Sequence, residues 1–242
     1  MRAVSAAPSF DPREVPVVAI DHDWPAVPAE RLNAQALRAR FAAPPLWTPE
    51  VVREPKFSER APADAAVLVP LVQHDDGLSV LLTQRTAHLP THAGQIAFPG
   101  GKVDAQDSGV HAAALRETHE EVGLHPRHVE VIGQLPVYIT GTGFHVTPVV
   151  ALVQPPFELA PNPGEVDAVF EVPLAFLMNP AHHRRHAMDW QGRQRQWFSM
   201  PYLQTLPEAS DPVERFIWGA TAGMLRNFYR FLLAEGAGQE TR

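Results

Sequence analysis

Three glutamates, Glu117, Glu120 and Glu121, recur at a spacing that a helix would turn into chemistry. A helix advances about 100° per residue, so the three side chains fall within an arc of roughly 100°, while Leu115 and Val122 lie on the other side. One face is acidic and the other apolar. Like charges one turn apart repel by roughly 0.2–0.5 kcal/mol, and more where the face is sheltered, so such a face calls for positive charge. The residues leave two sources open: Arg116, adjacent in sequence, and a hard divalent cation that prefers carboxylate oxygen. Taken alone, three glutamates also suit a solvated helix face. Upstream, however, stands Phe98-Pro99-Gly100-Gly101-Lys102, whose two glycines let backbone groups approach a ligand without side-chain obstruction. Carboxylates and backbone carbonyls gathered there would suit a metal ion, with room for a phosphate bridging to the same ion.

The surrounding elements must hold these groups in place. Ala65 to Gln73 and Leu78 to Gln84 are Val/Leu-rich segments separated by His74-Asp75-Asp76-Gly77, whose Asp-Gly predicts a hairpin. Asp107 and Ser108 offer N-cap side chains for a helix from about Gly109 to Val122, which Gly123 ends. Further strands are expected at Val129 to Ile139, His145 to Val153 and Arg195 to Tyr202, with a short helix after Pro173. A long helix is expected from about Val213 to Leu233, burying Phe216, Ile217, Ala220, Met224 and Phe231. The first sixty residues are Pro- and Ala-rich, with one helical stretch near Ala29 to Phe41, and read as an arm or an added layer. The expected organisation is thus an N-terminal extension over 1–60, a main domain over 61–236 and a short tail over 237–242.

Composition sets the outer bounds. With 45% hydrophobic and 19% charged residues among 242, the chain falls with ordinary globular proteins. It has no cysteine, so any metal must bind oxygen or imidazole. A net charge of −7 argues against a nucleic-acid polymer as partner. His182-His183-Arg184-Arg185-His186 is the one locally basic run and reads as a solvated loop or strand face. The N-terminus lacks the apolar core of a signal peptide and no apolar run approaches a membrane span, so the expected setting is the cytoplasm, without a membrane partner. Oligomeric state is written in no motif, and a homodimer stays open.

Arg116-Glu117-Thr118-His119-Glu120-Glu121-Val122-Gly123-Leu124 resembles the second half of the Nudix box, with Thr118 in the usually aliphatic place. Asp107 stands where that box has Glu, and the stretch from Gly101 to Arg116 is one residue longer than the common form. The longer spacing is similar to the coenzyme A pyrophosphatase branch of the superfamily. So is an upstream signature matched here by Leu81-Leu82-Thr83-Gln84-Arg85, Gly94 and Phe98-Pro99-Gly100-Gly101, in which Pro90 replaces an expected Arg. The likeness extends to Glu165-Val166-Asp167 and Trp218-Gly219-Ala220-Thr221-Ala222, and spans about Ala65 to Leu233.

The resemblance implies an α/β (α+β) architecture, the Nudix fold, with a mixed β-sheet sandwiched between helices. It implies Mg²⁺ or Mn²⁺ held by Glu117, Glu120, Glu121 and the carbonyl of Gly101, with Arg116 steadying a glutamate. The general base would be a box glutamate or Glu165, carried on the Pro161-Asn162-Pro163-Gly164 loop. Arg85, Gly94, Phe98 and Gly100 would meet the substrate, a small nucleotide: coenzyme A or a derivative, cleaved to 3′,5′-ADP and 4′-phosphopantetheine. ADP-ribose, NADH and nucleoside triphosphates are the alternatives within the family. A nucleotide-sensing module that keeps the fold without catalysis would not need all three glutamates and Arg116.

Overall fold

The computed structural model describes residues 10–56, 58, 61–89, 93–190, 192–206 and 211–235. Pro90 and the expected tail over 237–242 lie outside them. The chain runs through β1 (Val17–Ile20), α1 (Ala34–Ala42), β2 (Ala63–His74), β3 (Gly77–Arg85), β4 (Ile96–Ala97), β5 (Gly100–Lys102) and α2 (Val110–Val122). It continues through β6 (Val129–Gln134), β7 (Tyr138–Ile139), β8 (Phe144–Val153), β9 (Val166–Pro173), α3 (Leu174–Leu177), β10 (Arg184–Trp190), β11 (Arg193–Gln204), β12 (Val213–Trp218) and α4 (Gly219–Leu233). The mixed sheet and flanking helices match the expected α+β class.

Strand β2 organises the larger, eight-stranded sheet because its residues are apolar on both sides. Ala65, Val69 and Leu71 enter one core cluster while Ala66 and Leu68 enter another, following the period of two that a strand imposes. It pairs in parallel with β8 over ten positions, Ala63 with Phe144 through Val72 with Val153, and antiparallel with β3 and β5. On one face Ala113 and Ala114 of α2 pack against Ala66, Leu68, Val149 and Ala151. Burying a side chain such as Leu68 contributes roughly 1.5–3 kcal/mol. The other face carries the main core, with Leu37 of α1, Phe228 and Leu225 of α4, and Met200 and Ile217 of a second, antiparallel sheet ordered β1-β10-β11-β12.

The β2–β3 hairpin closes with His74 opposite Gly77, so Asp75-Asp76 form the two-residue loop and Gly77, at φ 141°, takes the conformation a side chain would resist. The first six residues of the helix expected from Val213 form a strand instead. Val213-Glu214-Arg215-Phe216-Ile217-Trp218 is β-branched and aromatic, and it pairs with Ser199–Gln204 before Gly219, at φ 61°, turns the chain into α4. The histidine run is also not solvated throughout. On β10 and just before it, His183 is 0% exposed and His186 2%.

Residues from the first sixty are built into the molecule as a layer. Arg226 of α4 is fully buried and meets Asp21 and Glu50 at 2.7 Å each, and Arg185 reaches the same two carboxylates. Arg31 and Arg40 donate to carbonyls at the C-terminal end of α4, where the unsatisfied C=O groups attract cations. Among the described residues no helix is long and apolar enough to cross a membrane.

Candidate active site

Helix α2 holds the glutamates, and its two ends fix their height over the sheet. Its N-cap is Gly109, with no side-chain cap. Asp107, expected to cap, instead accepts from Arg116 Nε at 3.0 Å and Nη2 at 2.8 Å, a bidentate carboxylate–guanidinium pair in which both partners are charged. This pairing, with the Asp104 amide, holds the Asp107 carboxyl down to about 2. At the far end Gly123 is left-handed, as expected, and a Cβ there would sit 2.7 Å from the Ala160 nitrogen. Thr118 fits its aliphatic place because its buried hydroxyl donates to the Ala114 carbonyl at 2.7 Å.

Arg116 acts as a brace. Besides Asp107, it donates from Nη1 to Glu117 at 2.9 Å and Glu120 at 3.1 Å, and from Nη2 to the Lys102 carbonyl at 3.1 Å. Asp107 first, and then Glu117, raise its pKa further, so it stays charged. Glu117 thereby gives one oxygen to Arg116 and turns the other to the glycine turn. A Cβ on Gly101 would lie 2.4 Å from Glu117 Cδ and Oε2, so only glycine lets the strand and this carboxylate meet. Glu120 is the outer member, its side chain 58% exposed.

Glu121 is 4% exposed. The Gly100 amide donates to its Oε2 at 3.0 Å, and Arg85 Nη1 stands 3.5 Å from Oε1. Burial pushes its carboxyl up to about 7; the Gly100 amide and Arg85 oppose this, while Glu165 and Glu117 add to it. The buried Arg85 Nε has no hydrogen-bond partner among the described residues, which leaves it capacity for an acceptor. Glu165 lies on a loop stitched to the end of α2. Ala160 and Asn162 amides donate to the Val122 and Glu121 carbonyls, Asn162 Nδ2 donates to Glu165 at 3.4 Å, and the Thr86 amide donates to the Glu165 carbonyl.

Arg85, Gly100, Gly101, Arg116, Glu117, Glu120, Glu121 and Glu165 are therefore linked through direct contacts or facing charges. Two further residues expected to meet the substrate are not among these. Phe98 is 3% exposed within the main core. Gly94, at φ 68°, lies in an exposed turn with open space where a Cβ would stand. Asp107 and Asn162 are the residues whose roles were not foreseen. The box position of Asp107 was a usable signal; nothing in the sequence tied Asn162 to the end of α2. Among the described residues no three His, Asp or Glu side chains form a ready-made ion cage, since Arg116 engages Glu117 and Glu120.

Fold and site together set a carboxylate-bearing helix over a glycine turn. Residues 62–199 match the NUDIX domain, and the chain belongs to the Nudix family. It is 44% identical over 184 residues, 75% of this chain and 86% of the relative, to the uncharacterized Nudix hydrolase NudL of Shigella flexneri serotype 5b. The protein of that description from Escherichia coli O7:K1 is 46% identical over 165 residues, 67% of this chain and 79% of its own length. The crystal structure of a Nudix hydrolase from M. smegmatis, RenU, aligns at 28% identity over 48% of this chain and 73% of that one, with a TM-score of 0.41, a partial likeness on which no conclusion rests.

Proposed function

We propose that this protein hydrolyses the diphosphate bond of a nucleoside diphosphate derivative with Mg²⁺ or Mn²⁺, and that the substrate is coenzyme A or one of its derivatives. The observation that carries the reading is the meeting of Glu117, Glu121 and the Gly100-Gly101 turn, within reach of Arg85 and Glu165.

The donor set fits a hard divalent ion. It is all oxygen, it holds more carboxylate than its cations neutralise, and the absent Cβ at Gly101 lets the Glu117 carboxylate come up against the turn and its backbone carbonyl. Glu117, Glu121, the Gly101 carbonyl and, at the rim, Glu120 would hold the ion. When bound, it would neutralise the diphosphate and activate and align water. Arg116 keeps Glu117 and Glu120 extended toward the turn. Arg85, with its unpartnered Nε, offers a donor to a phosphate oxygen. Glu165, aimed by Asn162, stands ready to take the proton from the attacking water, which adds across the P–O–P bridge to give two phosphate monoesters.

Incubating the protein with coenzyme A and Mn²⁺ tests the assignment. 3′,5′-ADP and 4′-phosphopantetheine are the expected products, each in amounts equal to the coenzyme A consumed. Their absence alongside cleavage of ADP-ribose, NADH or a nucleoside triphosphate would transfer the activity to that substrate, a reading favoured by Pro90 in place of the expected Arg.

A further inference from the structure

Between α1 and β2 the chain runs Pro44-Pro45-Leu46-Trp47-Thr48-Pro49. The prolines fix φ at their own positions, so the short stretch between them has little freedom to rearrange. Leu46 is 92% exposed, while its neighbour Trp47 packs against the main core and meets the Phe231 ring of α4 at 5.3 Å. Leu46, Trp47 and Leu233 line an open cavity of about 480 Å³, and Arg230 and Glu235 also face it. A bare leucine beside an apolar hollow with charges around it is the kind of surface that marks an interaction site.

The charges on this cavity have capacity to spare. Arg230 lies over the Trp24 ring at 4.3 Å, and among the described residues Glu50, at 4.0 Å, is the one carboxylate within ion-pair distance of it. Arg185 at 2.6 Å and Arg226 at 2.7 Å already hold that carboxylate more closely. Glu235 is exposed, and among the described residues no cation pairs with it. One face therefore carries an apolar knob beside an apolar hollow, and a cation and an anion that can each take a partner. A face bearing both members of each pair is complementary to itself, which is what a twofold contact between identical chains requires.

We infer that two copies of this chain associate about a twofold axis through this face, Leu46 of each entering the hollow beside Trp47 and Leu233 of the other, and Arg230 of each meeting the partner's Glu235. None of these residues takes part in the Glu117–Glu121 site, so the inference stands apart from the reading of that site.

Analytical ultracentrifugation of the full chain over a concentration series tests it. A small apolar contact with two ion pairs predicts a reversible dimer with a dissociation constant on the order of 10 μM. Leu46→Asp, at a position too exposed to disturb the fold, should raise that constant about tenfold or more. Arg230→Glu and Glu235→Arg should each be monomeric at concentrations where wild type is dimeric, because each sets like charges opposite one another. Mixed in equal amounts, these two variants should associate again, since every carboxylate then faces a guanidinium across the axis. A variant that merely failed to fold could not be rescued in this way. Wild type that stays monomeric to about 300 μM, thirtyfold above the expected constant, would overturn the inference. So would a dimer that Leu46→Asp leaves intact, which places the contact elsewhere, or single charge variants whose mixture remains monomeric. Association that appears only after deletion of residues 236–242 would give the cavity to the chain's own last residues and overturn it as well.

Discussion

Replacing Glu121 with Gln should stabilise the metal-free protein while removing its activity. The carboxyl sits 4% exposed, and burial with the facing Glu165 and Glu117 moves it from its ordinary 4.5 to about 7. At roughly 1.4 kcal/mol per pH unit, keeping that group ionised in the fold costs about 3 kcal/mol at pH 8. The sign follows from proton counts. Between pH 4.5 and 7 the folded chain retains a proton that the unfolded chain has lost, so this contribution is favourable below 4.5 and is lost as pH rises through 7. A carboxamide copies the protonated acid, so Glu121→Gln should recover up to about 3 kcal/mol at pH 8, or roughly 6–12 °C in Tm for a chain of this size. His183, pushed down to about 4 by burial, tilts total stability the opposite way across part of this window. The readout is therefore the Tm of the variant minus that of wild type, scanned in EDTA from pH 4 to 8. The difference should be near zero at pH 4 and largest at pH 8, and kcat should fall by about 100-fold or more. A variant no more stable than wild type at pH 8, or a difference flat in pH, would refute the placement of a buried, charge-crowded carboxylate at this position.

Gly101→Ala should lower kcat by orders of magnitude, since its Cβ would meet Glu117 at 2.4 Å. Gly94→Ala, with open space around it and only a left-handed φ to strain, should cost about 1 kcal/mol in chemical denaturation and leave kcat intact. Arg116→Lys replaces a five-donor brace with a point charge, and should weaken Mn²⁺ binding measured by electron paramagnetic resonance by about tenfold or more. Asp21→Asn should cost about 3 kcal/mol in urea unfolding, because it deprives the fully buried Arg226 of a counter-charge, with kcat unchanged in the folded fraction.

The candidate site was more legible in the sequence than the frame around it. The glutamates, Arg116 and the glycine turn interact within a short stretch of chain, so helix period and glycine geometry bring most of them together without knowledge of distant contacts. Glu165 and Arg85 came from the resemblance and from loop placement; Arg85 stands 3.5 Å from Glu121, and the charge of Glu165 bears on Glu121 without a contact between them. The strand over 213–218 was hidden because Phe216 and Ile217 suit either a buried helix or a buried strand, and pairing with Ser199–Gln204, a distant segment, decides between them. The welding of Asp21 and Glu50 to α4 was hidden for a similar reason. Asp21, Glu50 and Arg226 lie far apart in sequence, and a proline-rich stretch gives no sign of which buried charge it will neutralise.

The central claim is that a divalent ion sits among the box glutamates and the Gly101 carbonyl when substrate is bound. A crystal grown with Mn²⁺ and a non-hydrolysable diphosphate analogue, measured at the manganese absorption edge, addresses it directly. The account predicts anomalous density contacting Glu117, Glu121 and the Gly101 carbonyl oxygen, with analogue phosphate oxygens on the same ion. Analogue bound with those carboxylates still on Arg116, Gly100 and Arg85, and manganese density elsewhere or absent, would contradict it.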